Sequence, residues 1–436
     1  MSAGTARERL EQALERIADP TGEGARACLT VYADAARAAA DAADARARAG
    51  IALGPLDGAI VSIKDLFDVA GEVTRAGSKV LAAEGKPAAA DAPAVQRLRA
   101  AGAVIVAKTN MSEFAFSGVG LNPHYGTPGN PADRARVPGG STSGGAVAVA
   151  EGLCEIAIGT DTGGSTRIPA ALCGIVGFKP SKFRIPTEGA FPLSYTLDSV
   201  GPMARTVADC ALADTILAAE PPHAPEPAPP APLAGLRLGV AQGLPLKDMD
   251  DAVSARFAAA LARLAKAGAR VSEETLDLFD ALREANARGG FAPPEAYAIH
   301  RERLARQGGE VDPNVRARIE RGREMTAADY VELVQARARL KTAMDARLAD
   351  LDALVMPTTP IVAPKLSDVA TPDSFSPRNM LLLRNTAIVN FFDLCAISLP
   401  LPRDGGLPVG LTLVARNGHD RRLFRIAAGI ERLFAA

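Results

Sequence analysis

Hydrophobic and polar positions follow two different periods along this chain. Over residues 5–48, Ala and Leu recur at three- and four-residue spacing among Arg, Glu and Asp. With the break at Asp19-Pro20-Thr21-Gly22, this predicts two amphipathic helices on the outside of the core that follows. From Leu56 to about Gly177, short β-prone runs at Ala59–Ile63, Ala103–Ala107 and Glu155–Gly159 alternate with helical patterns at Ala92–Ala101 and Gly145–Glu151, and another helical pattern follows at Val207–Ala219. Strands interleaved with helices indicate an α/β sheet. The segment 220–232 is the most proline-rich and reads as stiff and extended, neither helix nor central strand. Beyond it, strand-like runs at Leu236–Val240, Ala353–Met356, Ala396–Leu399 and Gly410–Ala415 bracket a helical block over about 252–348. That block is either a separate helical domain or a decoration of one continuous sheet.

The 436 residues, 48% of them hydrophobic, can bury a large core. With 49 Lys+Arg against 50 Asp+Glu there is no overall electrostatic pull toward nucleic acid or anionic membrane. Aromatics make up 4% and Trp is absent, so the stacking platform for single-stranded nucleic acid is missing as well. Cys28, Cys154, Cys173, Cys210 and Cys395 form no C-x-x-C pair and read as reduced, buried fillers. The charged N-terminal stretch lacks the apolar run of a secretory signal. No apolar stretch approaches the roughly 20 residues needed to span a bilayer. The expected location is the cytoplasm and the expected partner a small molecule.

The densest chemistry lies in two glycine clusters wrapped around hydroxyls, Pro138-Gly-Gly-Ser141-Thr142-Ser143-Gly-Gly145 and Gly159-Thr-Asp161-Thr162-Gly163-Gly164-Ser165-Thr-Arg167-Ile-Pro169. Glycine admits positive φ and close approach, so successive N–H groups can converge on a developing anion beside Ser165. The apolar stretch Ala146–Ile158 between them reads as a buried helix leading into a strand, which brings both loops to one end of the core. A serine nucleophile needs a base. His223 lies in the proline-rich segment, His300 in a charged helical run, His419 in a polar loop, and His124, nearest the glycine loops, also reads as a loop residue. The G-x-S-x-G elbow is absent, because Thr142 stands where its serine would be. Lysine is the alternative, and Lys64 closes the β-prone run Ala59–Ile63. An exposed lysine titrates near about 10.4, so a neutral base near pH 7 requires that value to fall by about three, or roughly 4–5 kcal/mol, which burial can supply. The stretch Gly102–Thr109 imitates a phosphate loop, but its Ala-Val-Ile-Val spacer is a strand whose amides belong to a sheet.

Lys64, the Ser141 loop and the Asp161–Pro169 stretch together resemble the amidase signature family. The resemblance includes the 24-residue spacing of Ser141 and Ser165, the continuation through Cys173 to Lys179-Pro180, and the later run Asp198–Asp209. It is dense over about 56–214 and looser at 353–360, 390–400 and 408–423. It implies one large α/β domain with a mixed sheet flanked by helices on both faces. The parts would be N-terminal helices at 5–48, a signature core at 56–214, an excursion at 220–232, a helical insert at 252–348, and C-terminal strands and helix at 353–434. It further implies Ser165 as nucleophile, Ser141 after a cis peptide as proton relay, and neutral Lys64 as base. The oxyanion would be held by the amides of Thr162, Gly163, Gly164 and Ser165, with Thr142 and Ser143 supporting the loop by hydrogen bonds and Asp161 and Arg167 fixing it. No metal or organic cofactor is implied, and dimers are common in the family.

The shared motifs do not choose the amide. By position, Met111, Phe114 and Phe116 and the segment Met380–Asn390 are expected to wall the pocket, with Arg384 and Asn385 as its polar groups. Arg384 would bind a substrate carboxylate or a ureide oxygen, which keeps a biuret- or allophanate-type substrate open. The other alternative is the glutaminase component of a tRNA-dependent amidotransferase, although the acidic residue for the glutamine amino group is absent from Leu381–Thr386. The malonamide-hydrolysing members carry an arginine where this chain has Ile168. A non-catalytic scaffold has no need of Lys64, Ser141 and Ser165 together.

Overall fold

A computed structural model describes residues 4–220, 229–403 and 405–435. The strands are β1 (Cys28–Val31), β2 (Ile60–Lys64), β3 (Val104–Thr109), β4 (Ile156–Thr160), β5 (Val176–Lys179), β6 (Val200–Ala204), β7 (Arg237–Ala241), β8 (Arg270–Glu274), β9 (Ala353–Pro357), β10 (Cys395–Pro400) and β11 (Gly410–Ala415). They form one eleven-stranded sheet in the order β1-β3-β2-β4-β6-β5-β10-β11-β9-β7-β8. β2 runs parallel to β3 and β4, and β7 runs parallel to β8 and β9, while the strands between pair antiparallel. The sheet is therefore mixed. It also passes through both halves of the chain, so the proline-rich segment does not divide two domains; its residues 221–228, with His223, lie outside the described ones.

Alternation along the strands sends side chains to two cores. Ile60 of β2, Val104 and Val106 of β3 and Ala157 of β4 pack with Leu10 of the helix Ala6–Ala18 and Ala146 and Val147 of the helix Ser143–Ala150. Val61 and Ile63, Ile105, and Ile156 and Ile158 face the opposite layer, with Leu98, Leu217 and Ile426 of the helices Pro93–Ala100, Val207–Leu217 and Asp420–Ala435. Lys64 and Thr160 end the parallel neighbours β2 and β4, so both stand at the same edge of the sheet.

Four strands escaped the hydrophobic pattern. β1 interrupts the predicted N-terminal helical pair and pairs with β3 at the sheet edge. β5 and β6 are four and five residues long and carry Gly177, Gly201 and Pro202, which the pattern reads as breaks. β8, Arg-Val-Ser-Glu-Glu, lies inside the block expected to be helical; it is an exposed edge strand whose charges discourage further pairing. Lys108, in the apparent phosphate loop, is a buried β3 residue paired with Glu72 at 3.1 Å. Among the described residues no helix is long and apolar enough to cross a membrane.

Candidate active site

The last residue of β2 is a fully buried lysine. Lys64 Nζ lies 2.8 Å from Ser141 Oγ and 3.0 Å from Thr160 Oγ1. Burial pushes its pKa down to about 7 against the opposing pull of Asp198 and Asp161, which leaves half the molecules with a neutral amine near neutral pH. The Gly140–Ser141 peptide is cis. The following helix Ser143–Ala150 lies so close to the N-terminal segment that a Cβ on Gly144 would meet Ala27 O at 2.4 Å. Glycine is what allows the loop to approach.

The second loop faces the first. Thr142 N–H donates to Ser165 O at 3.3 Å. No hydrogen bond joins the Ser141 and Ser165 hydroxyls; Ser165 Oγ is free of protein partners among the described residues, and Ser165 lines a cavity of about 310 Å³. The loop is organised on the Asp161 carboxylate, which accepts from Gly164 N (2.8 Å), Thr166 N and Oγ1, Arg167 Nε and Nη2, and Asn390 Nδ2. The buried Arg167 guanidinium and these donors hold its pKa well below the usual carboxylate range, against the effect of burial. Gly164 has φ +135°, and a Cβ there would meet Thr386 Oγ1 at 2.1 Å.

Two expectations need correction here. The Gly164 N–H is engaged by Asp161 and is not available to an oxyanion, whereas the N–H groups of Thr162, Gly163 and Ser165 have no protein acceptor among the described residues. Thr142 and Ser143 do not support the loop by side-chain hydrogen bonds, because Thr142 Oγ1 and Ser143 Oγ are buried without partners. Thr142 instead packs against Gly159. Thr160 lies within the second glycine motif and Thr386 and Asn390 within the segment Met380–Asn390, but no motif assigned any of the three a role of its own. Asn390 Oδ1 accepts from Arg167 at 2.7 Å and Thr386 Oγ1 donates to Gly163 O at 2.6 Å.

The pocket wall differs from expectation too. Met111 is fully buried core; Phe114, at φ +51°, turns inward onto the His300 ring 4.1 Å away. Neither lines the cavity, although Phe116 does. On the helix Pro372–Phe391, Met380, Leu383, Ala387 and Phe391 share the face toward the cavity at three- and four-residue spacing. Arg384 and Asn385 fall on another face. Arg384 donates to Lys247 O at 2.6 Å and pairs with Asp248, and Asn385 donates to Pro245 O and Pro357 O. Both brace the helix and do not reach the cavity.

The cationic groups that do line it are Arg318 and Arg321. Arg318 projects from the helix Pro313–Glu320, stacks 4.5 Å over the Phe116 ring and has neither an ion pair nor a hydrogen bond among the described residues. Burial, with Arg321 nearby, lowers its pKa to about 10, so it stays charged. Among the described residues no acidic side chain lines this cavity. None of the described histidines lines it either; His124 pairs with buried Glu113 at 3.0 Å and His300 is packed in the core. No group of three or more His, Cys, Asp or Glu among the described residues could hold a metal.

A model of the amidase family matches residues 8–424. The chain is 40% identical over 408 residues to a 2-amino-5-chloromuconic acid deaminase of Comamonas testosteroni, covering 91% of this chain and 86% of that one. It is 36% identical over 467 residues to a glutamyl-tRNA(Gln) amidotransferase subunit of Chloroflexus aggregans, covering 98% and 93%. Among solved structures, a chain of an inhibitor-bound vestigial protein complex that bears on the evolutionary origins of an s-triazine catabolic enzyme superposes with a TM-score of 0.89 at 31% identity, covering 98% of this chain and 95% of the other.

Proposed function

The chain belongs to the amidase family, and on that premise we propose that it hydrolyses a small amide bearing a carboxylate, through an acyl-enzyme on Ser165. Neutral Lys64 takes the Ser141 proton across their 2.8 Å contact as Ser141 takes that of Ser165, whose oxygen attacks the carbonyl carbon. The free amides of Thr162, Gly163 and Ser165 receive the oxyanion, each such donor being worth about 10²–10³ in rate. The proton returns through Ser141 to the leaving nitrogen, the C–N bond breaks, and water then cleaves the acyl ester to the acid. Asp161, Arg167 and Asn390 act through the loop they hold.

The observation that carries the substrate class is Arg318: a guanidinium with no hydrogen-bond or ion-pair partner among the described residues, in the same cavity as Ser165. A charged donor left without an acceptor in a partly buried wall is costly unless a ligand supplies one. The Comamonas testosteroni relative acts on an acid, in keeping with this reading. The test is ammonia release from a panel of paired amides with and without a carboxylate, with Ser165→Ala as control. Arg318→Ala should weaken kcat/KM for the carboxylate-bearing member by about ten- to a hundredfold, as for a charge-assisted hydrogen bond, and leave the neutral one unchanged. Equal loss on both would sink the assignment. Arg384→Ala should not alter selectivity.

A second reading, the glutaminase component of an amidotransferase, is favoured by the whole-length likeness to the amidotransferase relative of Chloroflexus aggregans. Against it, the cavity offers no acidic side chain among the described residues to an α-ammonium group. Glutaminase activity appearing only with a partner protein would decide for it.

A further inference from the structure

Two cavities of opposite character reach residues around the Lys64–Ser141 pair, although neither Lys64 nor Ser141 lines either one. Ser165, Thr162 and Gly163 open onto the front cavity with its arginines and apolar wall. A second space of about 370 Å³ is lined by Thr160, Thr187, Glu188, Tyr195 and Asp198, with no basic side chain among the described residues. Its floor, Thr160, is the second hydrogen-bond partner of Lys64 Nζ. One stretch of chain divides the two spaces: Leu193 and Leu197 line the front, and Pro192, Tyr195 and Asp198 line the rear. One hydrogen bond joins residues that line the two spaces, from Thr162 Oγ1 on the front to Asp198 Oδ1 on the rear at 2.5 Å.

We propose that the rear cavity is the passage for the small polar participants of the reaction, with ammonia leaving and water entering, while the acid uses the front. The proposal rests on the reading of Ser165, Ser141 and Lys64 above. Ser141 gives its proton to the leaving nitrogen and later takes one from the attacking water, so by microscopic reversibility the two occupy the same place beside Ser141. In the acyl-enzyme, R–CO–O–Ser165, the acyl chain fills the front cavity, whose wall is mostly apolar, with Ser117 and Asn286 as further polar groups beside the arginines that would hold its carboxylate. Water reaching the ester from the rear yields R–COOH and free Ser165. Charge separates the products in the same sense: the arginines attract the carboxylate, and Glu188 and Asp198 attract ammonium once ammonia takes up a proton from water.

The test uses two rim substitutions outside the catalytic loops, Thr187→Trp to fill the mouth and Glu188→Lys to reverse its charge. Labelling of Ser165 by a small fluorophosphonate measures the nucleophile and front access. Turnover of the best carboxylate-bearing amide, and the partition of the acyl-enzyme formed from its methyl ester between water and added ammonium chloride, measure the rear. Labelling should match wild type, Thr187→Trp should slow turnover several-fold, and Glu188→Lys should lower amide formation relative to hydrolysis several-fold. Unchanged turnover and partition with normal labelling would overturn the passage. Absent labelling in the wild type would instead overturn the assignment of Ser165. If Thr187→Trp loses labelling through misfolding, the exposed Glu188→Lys decides alone: an unchanged partition refutes the passage and a lowered one upholds it.

Discussion

The activity should fall away below pH 7, and Lys64 should be the cause. The drop of its pKa from 10.5 to about 7 raises the neutral fraction at pH 7 from about 0.03% to about a half, a factor of about 10³ or roughly 5 kcal/mol. Because the base must be unprotonated, kcat/KM should fall about tenfold per pH unit below that midpoint and level off above it. Ammonia release and fluorophosphonate labelling, each followed from pH 5 to 9, should share this limb. Lys64→Met, close in size and uncharged, should abolish the limb along with most of the rate. The same burial has a stability consequence of fixed sign. The unfolded lysine titrates near 10.5, so between about 7 and 10.5 the unfolded chain binds the extra proton and the fold gains stability as pH rises. Below pH 7 the folded chain carries the whole penalty, at most about 5 kcal/mol less what the contacts to Ser141 and Thr160 return. Lys64→Met should therefore gain most in urea midpoint over wild type at pH 6, and the gain should shrink toward pH 10. A limb near pH 4 or 10, or one that survives Lys64→Met, would refute the reasoning.

Gly164→Ala should cut activity by about a hundredfold or more and lower the melting temperature, since its φ of +135° and the 2.1 Å approach to Thr386 leave no room for a methyl group; steady-state assays and thermal unfolding would check it. Asp161→Asn should cost about 3–5 kcal/mol in urea unfolding at pH 7 by leaving buried Arg167 uncompensated. Asp161→Asn together with Arg167→Met should cost less than the sum of the two single changes, and strict additivity would contradict a coupled pair. Because the Asp161 pKa is depressed, its contribution should be present above the unfolded carboxylate value and be lost as pH falls below it.

What could be read from the chain is what depends on local backbone. A cradle of amides needs glycine at fixed positions, and a base delivered from a strand end needs an apolar run before the lysine, so both glycine loops and Lys64 announced themselves. Lys64 and Ser141 do meet, and Asp161 and Arg167 do pair at 2.9 Å. The misreadings arise where side chains from distant segments meet. Whether the Gly164 amide is free depends on the Asp161 rotamer, and whether Arg384 or Arg318 enters the cavity depends on the rotation of one helix and the docking of another. Arg318, in Val-Arg-Ala-Arg-Ile, looks like any helical surface arginine; what distinguishes it is that no carboxylate among the described residues pairs with it.

The sheet separates the position of the amine from the make-up of the front wall. Lys64 and Thr160 end adjacent parallel strands, so the position of the amine is set by the sheet register and the core beneath it. The front wall comes from other elements, including residues 286–293, the helix Pro313–Glu320 and one face of Pro372–Phe391. A substitution there changes shape or charge around the substrate without moving Lys64, Ser141 or the Asp161-centred loop. Leu383 and Thr386 are the exceptions, since they pack on Gly163 and Gly164. On the proposed reading, selectivity would be free to vary at Arg318, Arg321 and Met380, while Leu383 and Thr386 are held by their packing on Gly163 and Gly164.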